Sequence, residues 1–436
     1  MFFKNSYKMT ILEIHKLFLD SSGVVIDTRK VLLNSFFIAL KGERFDANIF
    51  AKEALEKGAS YVIIDNKEYY LDSRTILVKD SLKALQELAK YHREYLKSIT
   101  IIGLTGSNGK TTTKELIQVV LSKKYVTKAT DGNLNNHIGV PLTLLSFTKE
   151  TQFGIVEMGA NHQKEIEFLC SIAKPDYGYI TNFGKAHLEG FGGVEGVIKG
   201  KSEMYDYLIN DNKKAFVNLD DSIQEEKTRT IERITFSNQD KDANTFISSI
   251  SANPYVNVEC NEISITSNLI GLYNANNINV AITIGNYFNV SNIDIKDAIQ
   301  SYIPENNRSQ ILIKNSNEII LDAYNANPSS MLLALENFIQ LDKQNKVIII
   351  GDMFELGLDS DSEHLTIIKF LEKEKNLLCY FIGSYFYKNK VTKDNFFFYN
   401  DFDSFKGNLT KDKFRNSTLL IKGSRGIALE RTLDYI

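Results

Sequence analysis

Cysteine is scarce in this chain. Only Cys170, Cys260 and Cys379 occur in 436 residues, far apart and with no CxxC pair, so neither a disulfide framework nor a thiolate zinc site is supported. A reducing, cytoplasmic setting fits best. A surplus of charge is missing too: 51 basic against 54 acidic residues leave a net charge of −3, which offers no basic field to nucleic acid or an anionic membrane. Nowhere do roughly 18 uncharged apolar residues run together. The opening Met1 to Lys8 has neither a long apolar run nor a small-residue cleavage site, so neither export nor membrane insertion is expected. Proline is also sparse, with 5 against 25 glycines, and its placement therefore carries weight.

What is present is ordinary for a globular protein. Hydrophobic residues are 43% and charged residues 24% of the chain, which excludes a largely disordered or fibrous one. The length exceeds one compact core and asks for two or three modules of about 100–200 residues each. The partner is expected to be small.

Residues 1–98 read as short strands and helices. Val24-Val25-Ile26 is β-branched, Phe36 to Leu40 is a buried run, Ile49 to Lys57 has helical spacing, and Ala59 to Asp65 reads as a strand. Leu85, Leu88, Ala89 and Tyr95 give Ser81–Leu96 an amphipathic face, and Lys97-Ser98 offers a joint. The block 99–304 opens with the strand Thr100–Thr105, a glycine loop and a helix from about Thr111 to Lys123. Apolar strands at Gly154–Glu157 and Tyr177–Thr181 alternate with helical stretches, the pattern of a mostly parallel sheet covered on both faces. Period-two alternation over 244–268 adds a small antiparallel piece. Pro304 marks the second boundary. Residues 305–436 form another α/β unit, with strands at Ile311–Ile313, Glu318–Asp322, Lys346–Gly351, Leu377–Gly383 and Leu419–Gly423, and helices after Pro328 and Ser362. The fold class is α/β in three domains.

Thr105-Gly-Ser-Asn-Gly-Lys-Thr-Thr-Thr113 lies between a predicted strand and helix, where backbone N–H groups and a helix N-terminus can hold polyphosphate. Lys110 would reach the β/γ oxygens and the Thr111 hydroxyl would bind Mg²⁺. The strict GxxxxGK[ST] spacing fails, because its first glycine falls at Leu104. Phosphoryl transfer also needs a cation held by carboxylate or imidazole. Glu157 closes a strand at the end where such sheets place their sites, although strand-end acids are often merely solvated. His187 follows another strand; alone it reads as a surface or core histidine, as His162 and His137 do more firmly. Lys199 and Lys201, alone, read as a solvated helix face.

In combination these residues resemble the Mur ligase family along nearly the whole chain. The resemblance rests on Asp27-Thr-Arg29 with Phe37 to Gly42, on Thr105 to Lys114, Asn133 to Thr143, Glu157 to His162 and His187 to Gly192, and on Asp322 to Pro328, Gly351 to Gly357 and Lys422 to Arg425. The phosphate loop indicates only the wider superfamily; Glu-Met-Gly-Ala-Asn-His, His-Leu-Glu-Gly-Phe-Gly and Tyr-Asn-Ala-Asn-Pro narrow it to one branch.

The resemblance implies a UDP-sugar-binding domain (1–98), a central ATPase (99–304) and a C-terminal Rossmann-like domain (305–436), in a cytoplasmic enzyme expected to be a monomer. It implies an ATP-dependent ligase that adds D-alanyl-D-alanine to UDP-N-acetylmuramoyl-tripeptide through an acyl phosphate, a step in peptidoglycan precursor synthesis. Lys110 would steady the γ-phosphate within the ATP loop Gly106, Ser107, Asn108, Gly109, Thr111 and Thr112. Thr111 and Glu157 would bind one Mg²⁺, and His187 a second, with Lys201 as a carbamate. Carbamylation makes physical sense, since an ammonium of pKa about 10.4 repels Mg²⁺ whereas a carbamate is an anionic ligand. Asn274, Arg308, Asp322 and Tyr324 would contact the nucleotide, Asn136 the acyl site, and Asp27, Arg29, Phe37, Leu40 and Gly42 the uridine nucleotide. Two positions depart from the family pattern: Tyr273 replaces a histidine before Asn274, and Ala47 replaces a glycine before Asn48. Another Mur ligase step or a folylpolyglutamate synthase-like ligase remains as an alternative. So does a non-catalytic ATP switch, which would not need Glu157, His187 and Lys201.

Overall fold

A computed structural model describes residues 9–410 and 413–436; the leaderless reading of Met1 to Lys8 falls outside the described residues. The chain packs into two compact units. The first comprises the described residues up to Leu104 with Tyr125–Gly159 and Glu165–Gly178, and the second Thr105–Lys124, Ala160–Lys164 and Tyr179–Ile436.

In the first unit, a parallel sheet runs in the order Val24–Val25, Phe36–Ile38, Tyr61–Ile64, Thr75–Leu77. Phe37, Ala39, Val62 and Ile64 bury one face of it against Ala51 and Ala54 of the helix Ala51–Glu56. The helical spacing read over Ile49–Lys57 resolves into a 3₁₀ turn, Ala47–Phe50, and that short helix. The helix Ser81–Tyr95 starts on Asp80, whose carboxylate accepts from Lys83 N. Near its end the buried Arg93 donates to the carbonyls of Leu96, Ile99 and Ala173 and pairs with Asp176 at 2.9 Å. Asp176 also accepts from Ile101 N, so this guanidinium fixes where the strand Thr100–Thr105 begins. That strand pairs in parallel with Phe153–Glu157, which pairs in parallel with Thr127–Ala129.

The second unit has two sheet regions. Lys214–Asn218 and Glu232–Ser237 are parallel; Thr245–Ala252, Tyr255–Cys260 and Ile263–Ile270 follow as an antiparallel trio, as the period-two alternation anticipates. The C-terminal six-stranded sheet has the order Gln310–Lys314, Asn317–Asp322, Thr418–Lys422, Lys346–Gly351, Leu378–Ile382, Phe396–Tyr399, parallel apart from its first hairpin. Its central strands are apolar without alternation because helices cover both faces. The edge strand Phe396–Tyr399 is an addition to the expected set. The carboxyl ends of Asn317–Asp322, Lys346–Gly351 and Thr418–Lys422 lie side by side, where open α/β sheets place their ligands. Among the described residues no helix is long and apolar enough to cross a membrane.

Candidate active site

The glycine loop turns into the helix Lys110–Leu121 through Gly109 at φ +80°. Gly106 sits at φ +138°, and a Cβ there would fall 2.0 Å from Thr181 Oγ1, so only glycine fits. The loop is held from behind by Thr181–Lys185. Thr181 Oγ1 and Asn182 Nδ2 donate to Asn108 O at 2.6 and 3.0 Å, Asn108 N donates to Asn182 Oδ1 at 3.1 Å, and Ser107 Oγ donates to Gly184 O at 2.7 Å. Lys110 Nζ curls over its own loop, donating to Gly106 O at 2.7 Å and Ser107 O at 3.3 Å. Polyphosphate would meet an ammonium already tethered to two carbonyls of the loop. Neither Thr181 nor Asn182 was singled out in the sequence; no local motif distinguishes residues that shape a loop from another strand end.

Asn274 is buried and hydrogen-bonded at both ends of its amide. Its Nδ2 donates to Ile270 O at 2.8 Å, and its Oδ1 accepts from Asn277 Nδ2 at 2.8 Å. Asn277 Oδ1 in turn accepts from Thr113 Oγ1 at 2.9 Å, and a Cβ on Gly109 would lie 2.7 Å from it. The two amides therefore prop the start of the phosphate-loop helix. Tyr273, the departure from the family pattern, bonds Ser309 Oγ at 3.0 Å, and burial pushes its phenol pKa well up, with Asp322 adding to the shift.

At the C-terminal strand ends, Asp322 accepts from Ser309 N at 3.2 Å and from the buried Lys422 Nζ at 2.5 Å. The Arg308 guanidinium lies 3.7 Å over the Tyr324 ring, with its Nε buried and without a hydrogen-bond partner. The structure thus brings together the phosphate loop, Asn274, Arg308, Asp322 and Tyr324 in one compact unit.

His187, in left-handed backbone at φ +54°, opens the short helix Leu188–Phe191. Its Nδ1 is in contact with the Glu355 carboxylate, and this pairing holds Glu355 below the usual carboxylate range. Lys201 is 1% exposed, so the solvated-face reading fails for it, while Lys199 is exposed. Lys201 Nζ donates to Ala160 O at 3.0 Å and lies 4.9 Å from the Phe191 ring centroid.

The remaining predicted residues belong to the first unit. Glu157 is 2% exposed rather than solvated; its Oε1 accepts from Asn135 Nδ2 at 2.8 Å and its N donates to Thr130 Oγ1 at 3.0 Å. Asn136 is exposed and its Oδ1 accepts from Ile138 N and Gly139 N, which orders the start of the helix Gly139–Leu145. Arg29 grips Asp27 through three side-chain bonds of 2.7–3.1 Å and holds its carboxyl down at about 2. Phe37 is 1% exposed and belongs to the core, Leu40 is half-buried, and Gly42 is exposed in the hairpin Lys41–Asp46. Asn48, beside the Ala47 departure, is fully buried and ties Asp46 to Asp65 with Nδ2 bonds of 2.6 and 2.8 Å.

Mg²⁺, which the resemblance implies, prefers oxygen ligands and keeps phosphate oxygens and waters beside one or two protein groups. Among the described residues no group of three or more His, Cys, Asp or Glu side chains is gathered to hold a metal by itself. The hydroxyl of Thr111 and the carboxylate of Glu157 are each hard oxygen donors of the required kind.

The sequence model of the Mur ligase middle domain matches residues 104–285, and that of the Mur ligase glutamate ligase domain matches 307–398. The chain is 32% identical over 436 residues, covering 95% of each protein, to a UDP-N-acetylmuramoyl-tripeptide–D-alanyl-D-alanine ligase of Rickettsia prowazekii. It superposes on a crystal structure of MurF from Acinetobacter baumannii with a TM-score of 0.83 at 28% identity, covering 96% of this chain and 97% of that one. The MurF ligase of Thermotoga maritima in complex with ADP gives a TM-score of 0.82 at 26% identity with the same coverage.

Proposed function

The chain belongs to the Mur ligase family, and on that premise we propose the chemistry its residues perform. It is an ATP-dependent ligase that joins D-alanyl-D-alanine to UDP-N-acetylmuramoyl-tripeptide, in peptidoglycan precursor synthesis. The observation that supports this most directly is the glycine loop with Lys110 tethered above it, in a chain alike to its ligase relative over 95% of both lengths.

A carboxylate resists attack by an amine because its leaving group would be oxide. One oxygen of the tripeptide carboxylate therefore attacks the γ-phosphorus of ATP, and ADP departs. The amine of D-alanyl-D-alanine then attacks the acyl carbon, and inorganic phosphate leaves from the tetrahedral intermediate. Lys110 and the amides of Gly106 to Thr112 hold the triphosphate in line. Arg308, Asp322, Tyr324 and Asn274 fix the nucleotide, the last by propping the loop through Asn277. Mg²⁺, when bound, neutralises charge developing on the phosphate oxygens. Thr111 and Glu157 are proposed to hold one Mg²⁺, and His187 with Lys201 a second. Asn136 serves the acyl site, while Asp27, Arg29, Leu40 and Gly42 serve the uridine nucleotide with Phe37 as support beneath. The three-domain division at 98 and 304 is part of this reading.

A carbamate on Lys201 is the finer part of the proposal. Carbamylation leaves one N–H on Nζ, enough to keep the bond to Ala160 O, and adds one negative charge shared over two oxygens. The deciding experiment for the function is ADP release measured with each substrate omitted in turn. Release is expected only with UDP-N-acetylmuramoyl-tripeptide and D-alanyl-D-alanine together; release independent of either refutes the ligase reading. Glutamate acting in place of the dipeptide would favour the folate-type alternative.

A further inference from the structure

The loop Asp352–Gly357, which follows the strand Lys346–Gly351, has no role above, yet it is held residue by residue. Asp352 is 1% exposed and accepts from Tyr385 N and Phe386 N, each at 3.0 Å. Met353 N donates to the fully buried His364 Nε2 at 3.0 Å, and His364 Nδ1 donates to Ser360 O at 2.6 Å. Phe354 N donates to Ser424 Oγ at 3.1 Å. Three successive residues are thus pinned, and the fourth is Glu355.

Glu355 lies at φ +62° and His187 at φ +54°, a backbone region that non-glycine residues occupy only under constraint. These two constrained residues meet side chain to side chain. Their backbones are joined as well, since Glu189 N donates to Glu355 O at 3.2 Å. The approach is close: a Cβ on Gly357 would lie 3.2 Å from Glu189 Cβ. Glu355 is half exposed, yet the contact has a left-handed residue on each side and a braced loop behind one of them.

We propose that Glu355 is a positioning residue for His187: its carboxylate claims the Nδ1 edge of the imidazole, fixes the ring's orientation, and leaves Nε2 as the edge offered to a cation. The inference rests on the reading of His187 as a Mg²⁺-binding residue. A carboxylate behind a metal-binding histidine selects the tautomer and orients the ring, and removing such a partner typically weakens metal binding by roughly 10–100-fold. The hydrogen bonds on Asp352, Met353 and Phe354 keep that carboxylate in place.

The probe is Mn²⁺, titrated into the full-length protein with ADP present and read by water-proton relaxation. Wild type is compared with His187→Ala, Glu355→Ala and Glu355→Gln. Glu355→Ala is expected to weaken Mn²⁺ binding at least about tenfold with an unchanged thermal midpoint, and Glu355→Gln, which keeps an acceptor oxygen, to recover most of it. Histidine ¹⁵N spectra are expected to show His187 with its proton on Nδ1 in wild type and a tautomer mixture in Glu355→Ala. Wild-type affinity in Glu355→Ala alongside loss in His187→Ala overturns the positioning role and leaves His187 as a ligand. Unchanged affinity in His187→Ala overturns the ligand reading itself. Equal losses of Mn²⁺ binding and thermal stability in both Glu355 variants make the residue structural and also overturn the inference.

Discussion

Asn327 and Asn108 are joined side chain to side chain, the Asn327 amide donating to Asn108 Oδ1 at 2.7 Å. The same Asn327 caps the helix Pro328–Gln340, its Oδ1 accepting from Ser330 N at 2.9 Å while Ser330 Oγ accepts from Asn327 N at 3.1 Å. One amide therefore ends a helix of the C-terminal sheet region and touches the middle of the phosphate loop. A second tie runs alongside, from Lys185 N to Ser329 Oγ at 2.8 Å. Ordering the loop around phosphate and seating this helix are then linked, so each favours the other.

Asn327→Asp separates the two duties of that amide. Aspartate is an equally good helix cap, so the thermal midpoint should stay near wild type. The donor to Asn108 is lost and a carboxylate faces its carbonyl oxygen instead. One hydrogen bond of about 0.5–1.5 kcal/mol predicts a KM for ATP raised roughly 2- to 13-fold. Asn327→Ala should show the same KM effect plus about 1 kcal/mol of destabilisation from the lost cap. Wild-type ATP dependence in Asn327→Asp would mean the contact carries no coupling.

Gly106→Ala places a methyl 2.0 Å from Thr181 Oγ1 and 2.9 Å from Thr181 N, on a backbone at φ +138°. The backbone atom cannot swing away as a side chain would, so the loop itself must shift. A loss of about 2–4 kcal/mol in denaturant unfolding and weakened ADP binding by calorimetry are expected. Gly192→Ala is the control. It also has positive φ, +76°, but open space around the new methyl, so only backbone strain of about 1 kcal/mol should register.

Lys201→Met keeps the length of a nearly fully buried side chain and removes its nitrogen. Turnover should fall at least about 100-fold, the scale of losing one electrostatic group at a reacting centre, while the fold survives. In ¹³C-bicarbonate-equilibrated protein, wild type should give a carbamate resonance that Lys201→Met lacks. An active wild type without that resonance would leave Lys201 as an ammonium donor to Ala160 O and remove it from cation binding.

Much of this site was legible because its chemistry is local. Gly106, Gly109 and Lys110 announce a phosphate loop within five residues, and the strand Lys346–Gly351 reads directly from its apolar run. The helix Ser360–Glu372 begins only two residues before the expected Ser362. What escaped is set by long-range packing. Lys201 reads as a surface lysine until Phe191 and Ala160 close over it, and Asn277 reads as a helix polar residue until Thr113 and Asn274 meet it. Asn327 did leave a trace, since Asn before Pro is a helix-start signature, but nothing in that run names Asn108 as its partner.

His15 and His92 are buried and linked, Nε2 to Nδ1 at 3.0 Å, and His92 Nε2 lies 3.0 Å from Phe147 O. A carbonyl only accepts, so His92 donates from Nε2 and accepts on Nδ1 from His15; the chain is complete with both rings neutral. Burial, and then the neighbouring His92, push the His15 pKa down to about 4, and burial lowers His92 as well. A base whose folded pKa lies below its unfolded value of about 6.5 resists protonation only in the folded state. Its contribution is therefore intact above pH 6.5 and is lost progressively as pH falls toward 4, by up to about 3 kcal/mol for His15. His15→Phe fits among Phe18, Tyr91 and Tyr95 but leaves His92 Nδ1 unpaired, so it should be less stable than wild type by about 1 kcal/mol at pH 7.5. That gap should close or reverse by pH 4.5. Parallel thermal-midpoint curves for the two proteins across this range would show that His15 is not what the acid acts on.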